Sequence, residues 1–206
     1  MRNSNKKLII FRTDSSDKIG GGHLTRCINI GNNLRKKNVE VVFICQDLIG
    51  LDINLLKSSN HKYFLFKENK NFKEDALETI KILQKNYLSK SILVVDHYEI
   101  DSKWEKLVSN YTKKIIVIDD LASNIHNCDI LINQVYGINK SSYKELVNKS
   151  CELYLGSKYI MIKPEFAKIR ENLLNKNSID KIENVHLFFS SNDKNGLTLK
   201  YSKLLL

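Results

Sequence analysis

Three consecutive glycines lead directly into a histidine near the start of the chain, in the segment FRTDSSDKIGGGHLTRC. The chain has only eight glycines in 206 residues, so Gly20, Gly21 and Gly22 are a local concentration. Glycine can adopt a positive φ and lets a ligand approach the backbone closely. The spacing differs from the dinucleotide-binding fingerprint, so an ordinary turn without a ligand is the alternative interpretation.

His23 follows these glycines and begins an apolar pattern with helical spacing. The positive end of a helix dipole disfavours an imidazolium, so we expect a neutral ring near pH 7. A neutral imidazole at this position can accept a proton from water. A histidine that only caps a backbone amide is the alternative.

Polar side chains follow three apolar segments of the sequence, LIIFRT, SILVV and KKIIVI. Because the carboxyl ends of parallel strands meet at one edge of a sheet, we expect these side chains to line one crevice. Turn and cap chemistry explains each cluster taken singly, whereas three clusters at one edge favour a functional site. The side chains are Asp14, Ser15, Ser16, Asp96, His97, Tyr98, Asp119 and Asp120.

The charge of the chain favours a small anionic ligand over a nucleic acid. The formal net charge is +10, but it comes mostly from lysines that are spread along the sequence. Scattered lysines are typical of a solvated surface and form no continuous basic groove. Arginines are rare, and Arg12 and Arg26 flank the glycine–histidine segment. A guanidinium suits a phosphate or a carboxylate, so both are candidate binding residues.

The cysteines and the hydropathy pattern give no sign of a metal site or a membrane segment. Cys27, Cys45, Cys128 and Cys151 are far apart in the sequence and form no CxxC pair, so we expect small buried hydrophobes. No apolar run approaches the roughly 20 residues that span a bilayer, and no signal peptide is evident. We expect a soluble cytoplasmic protein without a metal or cofactor.

Short apolar segments alternate with helical patterns up to about residue 160. We predict strands over residues 8–13, 39–45, 62–66, 91–96, 113–120 and 128–133, and helices from residue 23, over 72–88 and around 104–108. The core stripe of the second helix is predicted to be Ala76, Leu77, Ile80, Leu83 and Leu88. Continuous aliphatic strands between helices are typical of a parallel sheet covered on both faces. The predicted fold class is therefore α/β, a Rossmann-like doubly wound parallel sheet over residues 1–160.

The pattern changes after residue 160. Residues 161–183 contain Pro164, the only proline, and a short charged helix before a polar stretch, which together are typical of a linker. Residues 184–206 have the pattern of one strand and one helix, the start of a second α/β domain. One such unit cannot bury its own apolar face, so we expect the rest of that domain to be missing.

The segment FRTDSSDKIGGGHLTRC resembles the N-terminal motif of the pseudaminic acid pathway hydrolases, which has an arginine, an aspartate and then I-G-x-G-H-x-x-R. The resemblance continues through VVDHYEID, IDDLASNIHNCDILIN, YLGSKYIMIKPEFAKIRE and LFFSSNDKNGLTLKYSKLL, and so covers essentially the whole chain. Members of this family are UDP-2,4-diacetamido-2,4,6-trideoxy-β-L-altropyranose hydrolases. They are similar to glycosyltransferases of the GT-B type but use water as the acceptor.

The resemblance implies that His23 activates a water molecule that attacks the anomeric carbon, with inversion and with UDP as the leaving group. It also implies that residues 1–160 are the N-terminal, catalytic domain of a GT-B-type fold and that residues 184–206 begin a truncated C-terminal nucleotide-binding domain. No metal is implied. The predicted substrate-binding residues are Arg12, Asp14, Ser15, Gly20, Gly21, Gly22, Arg26 and Tyr98.

Two departures from the family keep other functions open. We expect most of the second domain to be missing, and Ser190, Ser191, Asn192 and Asp193 replace a Gly-Gly-[Ser/Thr]-Asp turn. A GT-B-like glycosyltransferase and a non-catalytic remnant that binds sugar nucleotides are the alternatives. A separate C-terminal domain and self-association through the apolar end of the chain are the partner hypotheses.

Overall fold

The computed structural model describes residues 7–68, 71–86, 88, 90–174, 181–182, 184–189, 193 and 195–205. Strands and helices alternate along most of this length. The strands are β1 (Leu8–Thr13), β2 (Glu40–Asp47), β3 (Lys62–Lys67), β4 (Ile92–Asp96), β5 (Lys114–Ile118), β6 (Ile130–Asn133) and β7 (Glu152–Leu155). The helices are α1 (Gly22–Lys36), α2 (Ile53–Ser58), α3 (Phe72–Lys85), α4 (Ser102–Val108), α5 (Pro164–Leu174) and α6 (Leu197–Leu205).

The seven strands of the described residues form one sheet in the order β3-β2-β1-β4-β5-β6-β7, and all neighbouring strands are parallel. The chain builds outward from β1 to β3 and then returns to the other side of β1, where β4 pairs. Such a reversal leaves a crevice beyond the carboxyl ends of the two central strands, because the connections on either side diverge. The prediction of a Rossmann-like doubly wound α/β fold is confirmed.

Helices cover both faces of the sheet, which explains why the strands are apolar throughout. Ile10, Val42 and Ile44 pack in a core cluster with residues of α3 and α4. Phe11 and Phe43 point to the opposite face and pack with residues of α1 and α2. Alternate residues of one strand therefore enter two separate cores, and both sets are mainly apolar.

The long central helix differs from its prediction at one core position and at its end. α3 ends at Lys85, and Leu88 packs in the core after the helix, where its N–H donates to the carbonyl of Leu83 at 2.8 Å. Leu77 is 55% exposed, so its prediction as a core residue is wrong. Ala76, Ile80 and Leu83 suffice as the inward stripe, and Leu77 lies about 100° around the helix from Ala76.

Two elements were not predicted from the sequence, α2 and β7. α2 has six residues, too few to show a helical period, and the side chain of Asp52 caps it by accepting from the N–H of Leu55 at 2.9 Å. β7 has four residues at the edge of the sheet, which are too few to show a pattern. Both elements are defined by tertiary contacts more than by local sequence.

The end of the chain contains the two predicted helices, α5 and α6. Residues 184–189, which we expected to form a strand, are described without strand pairing. An isolated strand has no neighbour for its backbone hydrogen bonds, so the extended pattern alone does not produce one. Ser190, Ser191 and Asn192 lie outside the described residues, whereas Asp193 accepts from the N–H groups of Leu197 and Thr198 at the start of α6. The linker and the second domain stay predictions.

A buried charge cluster connects β1 to its neighbours. Arg12 is fully buried and donates to both carboxylate oxygens of Asp14, at 2.7 and 2.9 Å. It also donates to Asp75 of α3 at 3.2 and 2.5 Å, and the indole of Trp104 donates to Asp75 at 2.7 Å. Burial alone would raise the pKa of Asp14, but the charge of Arg12 and the hydrogen bonds from His97 and Arg12 together outweigh burial and lower it. The cluster holds β1, α3 and α4 in one arrangement because Arg12 bridges the two carboxylates and Trp104 donates to one of them.

We expect Arg12→Met to lower the free energy of unfolding by about 3–5 kcal/mol, because it would leave Asp14 and Asp75 as buried charges without a counter-ion. Urea unfolding followed by circular dichroism measures this change. Lys81→Met is the control, since Lys81 pairs with Glu78 on the exposed surface of α3 at 2.6 Å and should cost less than about 1 kcal/mol. Equal losses in the two variants would contradict the assignment of the Arg12 cluster as a structural support.

Candidate active site

A cavity of about 1030 Å³ lies beyond the carboxyl ends of β1 and β4. Its size is at the upper end of the range for small-molecule sites, roughly 300–1,000 Å³. The loop after β1, the first two turns of α1 and the residues after β4 and β5 line it, together with part of the C-terminal segment. Its lining includes Ser15, Gly20, Gly21, Gly22, His23, Arg26, Tyr98, Asp120, Gln134, Phe188, Phe189 and Asp193.

The glycine loop is ordered by its own hydrogen bonds. The side chain of Ser16 accepts from the N–H groups of Lys18 and Ile19 at 3.2 and 3.0 Å, and the N–H of Gly20 donates to the Ser16 carbonyl at 2.7 Å. Gly20 has a φ of +84°, a conformation that strains any residue with a Cβ. At Gly22, as at the other two glycines, an added Cβ atom would meet no described atom within 4 Å. The glycines therefore leave open space at the cavity wall.

The N-terminus of α1 faces this open space. Within the described part of the chain, no side chain caps the helix, and its first turn contains no acidic residue. A helix leaves its first N–H groups without intrahelical partners, and the dipole places partial positive charge there. Such an end suits a phosphate or another anion.

His23 forms a hydrogen-bonded pair with a carboxylate that was expected at the crevice but was given no catalytic or binding role. Its Nδ1 lies 2.6 Å from Oδ1 of Asp96, the last residue of β4, and both side chains are almost fully buried. A carboxylate only accepts, so Nδ1 carries a proton, and in the neutral ring the lone pair is on Nε2. His23 lines the cavity, so the ring provides a base there.

Arg26 keeps the Asp96 carboxylate ionised. Its guanidinium donates to both oxygens of Asp96, at 2.9 and 2.6 Å, and to Oδ2 of Asp120 at 2.7 Å. Burial would raise the pKa of Asp96, but the hydrogen bonds from His23 and Arg26, together with the charge of Arg26, outweigh burial and lower it. Arg26 thus connects Asp120, which follows β5, to the hydrogen-bonded pair of His23 on α1 and Asp96 on β4.

Tyr98 covers the His23 ring from the solvent side. The two rings meet edge to face, with their centroids 4.3 Å apart, and the tyrosine is about half exposed. Partial burial and the charge of Asp120 raise the pKa of Tyr98, so its phenol stays protonated near neutral pH. The side chain of Asn124 donates to the Tyr98 carbonyl at 2.9 Å and holds the turn after β4.

The structure brings most of the predicted site residues together and separates two from them. Ser15, the three glycines, His23, Arg26 and Tyr98 line the cavity. Arg12 and Asp14 do not line it, because their polar atoms are fully buried against each other and against Asp75. Their burial does not fit direct contact with a ligand. Instead, they stabilise the end of β1, from which the glycine loop begins.

Asp96 and Asp120 were expected at the crevice, but sequence reasoning did not select them as catalytic or substrate-binding residues. Both belong to polar clusters at predicted strand ends, and that position was the available signal. The sequence could not show which carboxylate of these clusters meets His23, because that pairing depends on how α1 crosses β4. Phe188 and Phe189 were also missed, since their place at the cavity depends on the path of the C-terminal segment.

The described residues contain no group of three histidine, cysteine or acidic side chains arranged to hold a metal ion. In the same part of the chain, none of the helices has the length and apolar character that a bilayer crossing requires.

Two curated proteins are similar to this chain, and no family model matches it. An uncharacterized protein of Methanocaldococcus jannaschii is 28% identical over 202 residues, which cover 96% of this chain and 40% of that protein. The UDP-2,4-diacetamido-2,4,6-trideoxy-beta-L-altropyranose hydrolase of Campylobacter jejuni is 33% identical over 159 residues. The chain is similar to this hydrolase. The match covers 77% of the chain and 53% of the hydrolase, so the chain spans about half the length of the curated relatives it matches.

We expect Gly20→Ala to lower the free energy of unfolding by about 1–2 kcal/mol, because alanine is strained at the positive φ of Gly20. Gly22→Ala is the matched control, since Gly22 is the first helical residue and alanine favours a helix by up to about 1 kcal/mol. Thermal unfolding of both variants measures the difference. A stable Gly20→Ala protein would show that the loop does not need its left-handed residue.

Proposed function

We propose that this chain carries the water-activating part of a nucleotide-sugar hydrolase. The substrate would be a UDP-linked 2,4-diacetamido-2,4,6-trideoxy sugar, cleaved to the free sugar and UDP in pseudaminic acid biosynthesis. One observation carries the proposal: the Asp96–His23 pair lies at the same cavity as an uncapped, glycine-lined helix N-terminus. The similarity to the Campylobacter jejuni hydrolase supports the substrate class.

In the proposed reaction, Nε2 of His23 takes a proton from a water molecule. The water oxygen attacks the anomeric carbon, and the bond from that carbon to the diphosphate oxygen breaks with inversion. The electron pair of that bond leaves with UDP. Asp96 remains a carboxylate throughout, orients the ring and stabilises the imidazolium that forms.

In this proposal, the N-terminus of α1 stabilises the UDP leaving group. Negative charge develops on the diphosphate as the bond breaks, and the helix N-terminus offers backbone N–H groups and a positive dipole end. UDP is a good leaving group, so the reaction does not need the second carboxylic acid that glycosidases use. One base and one anion site are therefore sufficient.

Tyr98 and Asp120 are placed to contact the sugar. The exposed part of Tyr98 lies beside His23, where a sugar ring under attack would be. Oδ1 of Asp120 is buried at the cavity and has no hydrogen-bond partner among the described residues. This oxygen can accept a hydrogen bond from a sugar hydroxyl or from the N–H of an acetamido group.

We expect the chain to release free sugar and UDP from the UDP-linked diacetamido-trideoxy-altrose, followed by proton NMR. His23→Ala should slow release by a factor of about 10²–10⁴, the usual contribution of a general base. Asp96→Asn should slow it by a factor of at least about 100, because the ring would lose its tautomer and its counter-charge. His186→Ala is the control, since His186 is exposed and does not line the cavity.

The outcomes of this experiment separate the proposal from its alternatives. Equal turnover by wild type and His23→Ala would contradict the role of His23. Sugar transfer to an added acceptor, with no release to water, would support a glycosyltransferase. Absence of turnover from a wild-type chain that still binds UDP would support a binding module.

A further inference from the structure

Two cysteines meet at the edge of the sheet opposite the cavity. Cys128 lies two residues before β6, and Cys151 directly precedes β7, so both are at the amino ends of neighbouring parallel strands. Their Sγ atoms are 3.7 Å apart although the residues are 23 positions apart in the sequence. Both are free thiols in this structure.

Backbone hydrogen bonds hold the two cysteines beside each other. The N–H of Glu152 donates to the carbonyl of Asp129 at 2.9 Å, and the N–H of Cys151 donates to the carbonyl of Asn148 at 2.9 Å. These bonds fix the residue next to each cysteine, so the thiols stay neighbours as long as β6 and β7 are paired. A disulfide needs the sulfurs at about 2.05 Å, so the two sulfurs would approach each other by about 1.7 Å from this starting distance.

The two thiols differ in exposure and acidity. Cys151 is partly exposed, whereas Cys128 is only 7% exposed. The hydrogen bond between the sulfurs lowers the pKa of Cys151 and raises the pKa of Cys128. The exposed, more acidic thiol is the one that reacts first with a dissolved oxidant. The buried thiol is in place to react second.

We propose that Cys128 and Cys151 are a redox modification site that forms a reversible disulfide when a peroxide reaches Cys151. The Cys151 thiolate attacks one peroxide oxygen, the O–O bond breaks, and a sulfenic acid and water result after proton uptake. The sulfur of Cys128 then attacks the Cys151 sulfur, the S–O bond breaks, and a second water leaves with the Cys128 proton. Two thiols are oxidised by two electrons and one hydrogen peroxide is reduced to two waters.

The disulfide would link the amino ends of β6 and the edge strand β7. It would thereby make a covalent loop of the segment that joins these strands. Cys27 and Cys45 provide internal controls, because both are fully buried and burial raises the pKa of each thiol. Neither should react with peroxide while the protein is folded.

The test treats the whole chain with a small excess of hydrogen peroxide, then unfolds it and alkylates the remaining thiols with a maleimide. We expect a mass loss of 2 Da, two maleimides in place of four, and a proteolytic peptide that joins residues 128 and 151. Dithiothreitol should restore all four thiols. The oxidised protein should unfold at a temperature higher by on the order of 5 °C.

Cys151→Ser should lose both the cross-link and the thermal shift, and it nearly keeps the size of this partly exposed side chain. Four alkylated thiols after peroxide treatment would overturn the proposal. Cys151 carrying two or more oxygens beside a free Cys128 would also overturn it, as would a disulfide between two chains.

Discussion

The carboxylate of Asp96 is the point on which the candidate site depends. It ends β4 at the centre of the sheet, and it receives hydrogen bonds from His23 and Arg26, which lie one turn apart on α1. One buried anion therefore sets the rotation of α1 over the sheet and the orientation of the imidazole. Through Arg26 it also fixes Asp120 after β5. Without this carboxylate, the His23 ring would lose the partner that sets its orientation beside the glycine loop and the helix N-terminus.

A second buried charge cluster, around Arg12, lies next to the cluster around Asp96. Arg12 and Asp14 neutralise each other at the end of β1, and Nε2 of His97 lies 3.2 Å from Asp14. His97 follows Asp96 directly, so the turn after β4 connects the two clusters. Buried ion pairs contribute little net stability, but they admit few alternative arrangements because each unpaired charge is costly. Charge pairing at the carboxyl ends of β1 and β4 thus holds the site in place.

The sequence allowed most of the fold to be predicted because its strands are buried on both faces. Their continuous aliphatic runs and the helical patterns between them indicate a doubly wound sheet without further information. α2 and β7 were not predicted because six and four residues are too few to show a helical or strand period. Leu77 was placed in the core because apolar spacing shows which residues are apolar and not which side of the helix lies on the sheet.

The site was predictable in position and less so in detail. The glycines, His23 and the polar strand ends indicate the correct edge of the sheet, since topology alone brings strand ends together. The partners of each charged group depend on side-chain geometry across distant segments, such as the 73 positions between His23 and Asp96. Arg12 and Asp14 were therefore taken for binding residues, whereas Asp96 was expected at the crevice without a role. The proximity of Cys128 and Cys151 was hidden for the same reason.

The most direct test of this account is the position of the proton on the His23 ring. Nitrogen-15 NMR of the imidazole groups at neutral pH, with His23 assigned by the loss of its signals in His23→Ala, distinguishes the two tautomers. The account predicts a protonated Nδ1 and an unprotonated Nε2 in the wild type, and loss of that preference in Asp96→Asn. A proton on Nε2 in the wild type would contradict the claim that Asp96 presents His23 as the base.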